Sequence, residues 1–246
     1  MLTHFSRRSF LGGALTSPFL LGAAGASDLQ VVQLQTGGNW NSRPYGMPRL
    51  LWETTQRTSI EVKLEVLPLQ ADAEKLFRYP FLFWAGSGGF PELPEEQITR
   101  LRRYLRYGGT IVVDNSDAEP SGAFDLSIRR AFKRILPEQS FSRLDSKHVI
   151  YKSFYLVDQQ AGRTLRVPYL ENIEIENRAA VIYSQNDLAG AWSRDPFGRW
   201  EFQVTPGGQR QREMAFRLGI NILMYALCLD YKADLVHTPF ILKRRR

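Results

Sequence analysis

The polar residues best placed to do chemistry in this chain of 246 residues stand where apolar runs stop. Tyr79 to Ala85 is a continuous apolar run ending at Gly86-Ser87-Gly88-Gly89, and Thr110 to Val113 runs into Asp114-Asn115-Ser116-Asp117. Uninterrupted apolar runs read as strands buried on both faces, the habit of parallel sheets. In an open parallel sheet, ligands gather beyond the carboxyl ends of the strands. If these two strands are neighbours, their loops meet at one crevice, which makes Gly86, Ser87, Asp114, Asn115 and Asp117 candidate ligand-binding residues. His148, within Asp145-x-x-His148-x-x-Tyr151-x-Ser153, and Asn186-Asp187, just before Leu188 and near Trp192, are further candidates for the same crevice.

Each candidate has a plain structural reading beside the chemical one. Ser87 is a candidate nucleophile and His148 its candidate base, but the G-x-S-x-G spacing of a nucleophile elbow is absent. A glycine-rich turn linking strand to helix accounts for the same residues. Asp114 and Asp117 suit a cation or sugar hydroxyls, and equally the capping of their own loop by local hydrogen bonds. His148 suits general-base work or a structural bond to a neighbouring backbone group. Ser87, Asp114 and His148 are thus weak catalytic candidates, and no catalytic set is identified. The histidines His4, His148 and His237 are scattered and no zinc spacing occurs, so no metal is expected. Thr36-Gly37-Gly38-Asn39-Trp40-Asn41 lacks the dinucleotide fingerprint and no P-loop is present, so no cofactor is expected.

The elements that must position these residues are readable from periodicity. Leu29 to Leu34 opens as a strand, residues 47–57 suit a helix, and Ile60 to Leu67 alternates like a half-buried strand. The clearest helix begins at Pro94 with Glu95-Glu96 in its first turn. It buries Ile98, Leu101 and Leu105, gathers Arg102, Arg103 and Arg106 at its end, and stops at Gly108. A helix from Phe124 to Ile135 halts at Pro137, Val149 to Val157 and Ala179 to Ser184 read as β-rich, and a last helix runs from Gln209 to Leu229. Cys228, the one cysteine, falls in the apolar run Leu218 to Leu229 and reads as a buried, inert thiol. That run is too short to span a bilayer. The order of elements argues a three-layer α/β sandwich with a mostly parallel central sheet.

The first 26 residues carry an address. Arg7-Arg8, then Phe10-Leu11 and an apolar run to Gly22, then Ala24-x-Ala26, resemble a twin-arginine signal peptide with its cleavage site. Residues 1–26 are read as this signal, 27–242 as a single α/β domain and 243–246 as a basic tail. The expected location is the periplasm, or outside the cytoplasm by the twin-arginine route. The composition, 43% hydrophobic and 23% charged, is that of an ordinary folded domain. The net charge of +7 is concentrated at the ends: without Arg7 and Arg8, and without Lys243-Arg244-Arg245-Arg246, residues 27–242 carry +1. This distribution, with export, excludes nucleic acid as a partner class. Contact with a membrane is expected only through an uncleaved signal or weakly through the tail.

Several segments together resemble a family. They are Phe83-Trp84-Ala85-Gly86-Ser87-Gly88, Leu93-Pro94-Glu95-Glu96, Leu101-Arg102-Arg103-Tyr104-Leu105, Gly108-Gly109-Thr110, residues 124–137, Leu144 through Tyr155, Val181 through Leu188, and Gly219 through Leu227. In this order they resemble the bacterial domain-of-unknown-function family numbered 4159, over nearly all of residues 29–230, and more distantly the class I glutamine amidotransferases. The resemblance implies a flavodoxin-like, amidotransferase-like fold in an exported or membrane-associated setting, and brings no reaction with it. Amidotransferases need a cysteine at the elbow; none stands there in this chain, so thioester chemistry is not expected. The function expected is therefore a non-catalytic binding or assembly module of the cell envelope, on a degenerate amidotransferase-like fold, meeting a partner protein or cell-wall ligand. The alternative is a hydrolase of an envelope glycan or peptide using His148 with Asp114 or Ser87. Proximity of those three side chains separates the two.

Overall fold

A computed structural model describes residues 29–158 and 161–243, with side chains as far as Leu227. The expected signal peptide, the side chain of Cys228 and residues Arg244–Arg246 lie outside the described residues.

Seven strands form one sheet: β1 (Val32–Leu34), β2 (Leu67–Leu69), β3 (Phe81–Gly86), β4 (Thr110–Asn115), β5 (Ser142–Arg143), β6 (Glu171–Ile175) and β7 (Arg178–Ser184). Their order is β2-β1-β3-β4-β7-β6-β5. The first five in that order are mutually parallel; β6 runs against both β7 and β5. The expectation of a largely parallel sheet with residues 81–83 and 111–113 at its buried centre holds. All six residues of β3 and of β4 are buried, and the two strands pair from Phe81↔Thr110 to Gly86↔Asn115. Consecutive apolar side chains are needed there because helices cover both faces.

Alternation along the central strands sorts two cores. Phe81, Phe83, Ala85 and Val112 face helices α1 (Gly46–Arg57), α4 (Leu188–Trp192) and α5 (Gly208–Lys243). Leu82, Trp84, Ile111 and Val113 face α2 (Glu95–Arg106) and α3 (Ala123–Ile135). The result is three layers, α/β/α. The basic end of α2 has a specific job. Arg102 donates to the carbonyls of Arg134 and Ile135 and so closes the carboxyl end of α3. Gly108, at φ +104°, turns the chain out of α2, and the Gly109 N–H returns to the Tyr104 carbonyl.

Two segments differ from expectation. Ile60 to Val66 forms no regular strand: only an isolated bridge joins Val62 to Leu29, and β2 begins at Leu67. This is the sheet's edge, beside a three-residue β1, so the alternating residues find few backbone partners. Val149 to Val157 is not β-structure either. His148 Nδ1 accepts the Ile150 N–H and starts a 3₁₀ turn over Val149–Lys152. Asn221 of α5 then takes the N–H groups of Phe154 and Tyr155. Those side-chain acceptors satisfy the backbone groups that a strand would have paired. Among the described residues, no helix is long and apolar enough to cross a membrane.

Candidate functional site

The loops at the carboxyl ends of β1, β3, β4 and β7 converge, and all the expected site residues except His148 stand on them or at the strand ends that lead into them. Close packing of α1 on α4 sets the geometry. A side chain at Gly46 would come within 2.5 Å of the Ala189 carbonyl oxygen. Glycine there lets the loop after β1 lie against the first turn of α4, and this carries Arg43 to Asp187.

Asp187 is the centre of the arrangement. It is fully buried and sits in the left-handed region at φ 53°, ψ 66°. Its carboxylate accepts the Gly190 N–H at 2.9 Å and receives Arg43 through Nε at 3.2 Å and Nη2 at 2.9 Å. Arg163 Nε donates to the same oxygen as Arg43 Nη2. Arg43 Nη2 also donates to the Ser116 carbonyl at 2.9 Å, and its guanidinium lies 4.2 Å from the centre of the Phe202 ring. A non-glycine residue held at positive φ costs free energy and marks sites where the surroundings dictate conformation. Ala118 and Ser121, in the loop after β4, are held at positive φ too.

Asp114, the last inward residue of β4 on this face, is fully buried beside Asp187. Its two oxygens accept the N–H groups of Leu188 and Ala189, each at 2.8 Å. Burial and the Asp187 charge push its carboxyl pKa up to about 7, against the pull of those two N–H donors. Asp114 thus binds β4 to the start of α4.

Asn115 points to the other face. Its Nδ2 donates to Gln185 Oε1 at 2.8 Å and its Oδ1 accepts the Asp117 N–H. Gln185 passes the network on to Asp125 at 2.7 Å, which also accepts the Tyr183 hydroxyl. Burial alone would raise the Asp125 carboxyl; hydrogen bonds from Arg129, Gln185 and the Ser121 N–H outweigh it and hold it below the usual carboxylate range. Asp117 is exposed and its Oδ2 accepts the Gly88 N–H at 2.7 Å. Ser87 Oγ accepts from Asn39 Nδ2 at 2.7 Å. At Gly86 an added side chain would meet Phe124 at 2.7 Å, so this glycine serves packing. Asn186 is buried, and its Oδ1 takes the N–H groups of Arg166 and Val167, fastening the 161–168 loop beside the site. Trp192 turns into the core, its indole N–H on the Ala215 carbonyl.

His148 stands elsewhere. Its ring meets Tyr225 edge-on at 5.3 Å, and the Tyr225 hydroxyl accepts the N–H of Ala179 at the beginning of β7. Asp187 follows the opposite end of that strand, roughly 15–20 Å away at the usual rise. Burial lowers the His148 pKa, and its Nδ1 lone pair is engaged by the Ile150 N–H. Ser87, Asp114 and His148 therefore do not form a catalytic set. Among the described residues, no group of three or more His, Cys, Asp or Glu side chains gathers to hold a metal ion.

Arg43 and Arg163 were missed by sequence reasoning. The one available signal for Arg43 is its place in a loop directly after a strand; Arg163 carries none, because its loop is brought to the site by bonds to distant Asn186 and Asp187. Beside Arg43, a surface groove of about 320 Å³ is lined by Trp40, Asn41 and Pro44 from the same loop and by Leu64 and Val66 across from it.

The model of the family described as domain of unknown function (DUF4159) matches residues 30–227. The chain belongs to that family. The match spans β1 through most of α5 and includes every site residue described above. No curated protein matches the sequence.

Proposed function

We propose that this DUF4159 protein is an exported cell-envelope protein whose α/β domain is a non-catalytic binding or assembly module, taking a partner protein or cell-wall ligand at the crevice beyond β1, β3, β4 and β7. The observation that carries this reading is the engagement of every candidate catalytic group in internal bonds. Asp114 holds two backbone N–H groups, Asp187 holds two guanidiniums and a third N–H, and Ser87 Oγ holds Asn39. A hydrolase needs a nucleophile within reach of a base, and His148 lies toward the opposite end of the strands from Ser87. The five parallel strands, taken in chain order, run 2-1-3-4-5 across the sheet, which supports a flavodoxin-like type. In that type the switch of direction falls between β1 and β3, where Asn39 pairs with Ser87. Export is supported by Arg7-Arg8, the apolar run and Ala24-x-Ala26, and by a family match that begins at residue 30, after them.

The test is site-specific photo-cross-linking in cells of the source organism. Cross-linkers at positions 39 and 117 should capture one discrete envelope component, and a cross-linker at position 107, at the far end of α2, should not. Capture that is equal from all three positions would refute the crevice. Exchange of Arg7 and Arg8 for Lys should hold the precursor in the cytoplasm; undiminished export would refute the twin-arginine route.

A further inference from the structure

The loops around Asp187 leave hydrogen-bond donors unused. Among the described residues, six buried side-chain N or O atoms have no hydrogen-bond partner, and three of these are the hydroxyls of Ser42, Ser116 and Thr164. Those three residues come from three separate loops, yet all adjoin the Asp187 cluster. The Ser42 and Ser116 carbonyls both accept from Arg43. Thr164 follows Arg163, and its N–H is held by the Asn186 carbonyl. Ser116 is only 1% exposed, so its hydroxyl has no open access to bulk water. Buried polar groups in native proteins are almost always completed by protein, ordered water or ligand.

The arginines of the same loops also keep donors to spare. Asp187 is shared by two guanidiniums, while the Asp114 carboxyl serves the N–H groups of α4. Arg163 uses only Nε; its Nη1 and Nη2 donate to no described residue, and a quarter of its side chain remains exposed. A third guanidinium, Arg212, is buried close by. It donates to the carbonyls of Ala191 and Phe202, lies over Trp200 at 4.1 Å, and has no ion pair among the described residues. Phe202 is also the ring under Arg43. A free guanidinium edge and unpaired hydroxyls together make a receptor for a planar or tetrahedral oxyanion.

We infer that the crevice binds an oxyanion, the phosphoryl or carboxylate group of its ligand, between the free edge of Arg163 and the hydroxyls of Ser42, Ser116 and Thr164. This rests on the proposed binding role and names the ligand chemistry for it. Arg163 supplies a fork of two parallel N–H donors to two oxygens. The hydroxyls supply neutral donors around the remaining ones. Asp187 positions Arg163 by holding its Nε.

The experiment is titration of the purified protein with sodium phosphate and sodium acetate against sodium chloride of equal ionic strength, read by amide chemical shifts and by thermal unfolding. At least one of the two oxyanions should give saturable shifts at residues 42–43, 116–117 and 163–164 and raise the unfolding temperature, as a ligand specific to the folded state must. Arg163→Gln should weaken this binding at least about tenfold, the loss expected for a charged hydrogen bond. Arg163→Lys should restore it only in part, because the fork is lost. Ser116→Ala and Thr164→Val remove hydroxyls that make no bond within the protein, so both variants should fold normally and bind about three- to tenfold more weakly. They keep the test decisive if Arg163→Gln fails to fold. Arg100→Gln on α2 should bind as the native protein does. Co-sedimentation with phosphatidylglycerol vesicles, lost in Arg163→Gln, would assign the oxyanion to a lipid headgroup; binding of free anion without co-sedimentation would assign it to a soluble ligand. Chloride-like behaviour of both anions, or unchanged binding in Ser116→Ala and Thr164→Val, would overturn the oxyanion site. A cross-linked ligand captured from position 117 in that case would leave the binding role standing with a neutral ligand.

Discussion

Asp114→Asn probes the buried carboxylate pair most directly. Asp114 has no exposed surface, and each of its oxygens accepts one N–H at 2.8 Å, from Leu188 and from Ala189. Asparagine matches the shape but has one acceptor. Its Nδ2 must face a backbone N–H, so one bond becomes a clash of donors and a buried N–H is left unpaired, at a cost of about 1–3 kcal/mol. The substitution also removes a charge that the native site tolerates poorly. Burial and Asp187 raise the Asp114 pKa from 3.8 to about 7, which corresponds to a cost on the order of 4 kcal/mol for holding it ionised, at 1.36 kcal/mol per tenfold change in proton affinity. The folded state binds this proton more tightly than the unfolded chain does. Its contribution to stability is therefore complete below pH 4 and is lost as pH rises through about 7. The variant lacks that dependence. Asp125 and Glu213, whose pKa values are lowered by their ion pairs against the effect of burial, act in the opposite sense but equally in both proteins. Urea denaturation at several pH values should thus find the variant about 1–3 kcal/mol less stable near pH 5, and as stable as the native protein or more so near pH 8. Unchanged m-values would show that the same unfolding is compared. A stability gap of constant size and sign from pH 5 to pH 8 would refute the reasoning that Asp114 is a charge held at cost.

Val112→Ala should cost about 2 kcal/mol in the same assay, because Val112 lies in the central strand against the α1–α4–α5 core and its methyl groups leave a cavity; a loss under about 0.5 kcal/mol would contradict that packing. Asn221→Ala should cost about 2–3 kcal/mol and speed proteolysis between residues 149 and 158, since it strips partners from two N–H groups and from the Tyr155 carbonyl. Unchanged cleavage of that segment would show that Asn221 does not hold it.

What could be read without the structure followed from local chemistry. Pro94, Glu95-Glu96 and Gly108 bound a helix because dipole, ring and left-handed turn act within a few residues. The uninterrupted runs at 81–85 and 110–113 announced central parallel strands because only a doubly covered strand tolerates them. Their loops were legible as neighbours through the same rule: Asp114, Asn186 and Asp187 lie together there, while Asn115 turns to the opposite face.

Partners distant along the chain were not legible. Nothing local to Val149–Val157 marks it as other than β, since the acceptor that claims its backbone is Asn221, some 66 residues away. Nothing in Asp145-x-x-His148 says that the ring turns to Tyr225 at the amino end of β7. Arg43 and Arg163 come together only because both reach Asp187, 144 and 24 residues off. The sequence by itself determined the alternation of helix and strand and the polar ends of the central strands, both of them short-range consequences of side-chain type. Tertiary structure alone decided which charges pair, which hydroxyls lack a protein partner and which end of the sheet each group occupies, because those depend on loop paths and strand order that bring far-separated residues into one low-dielectric place.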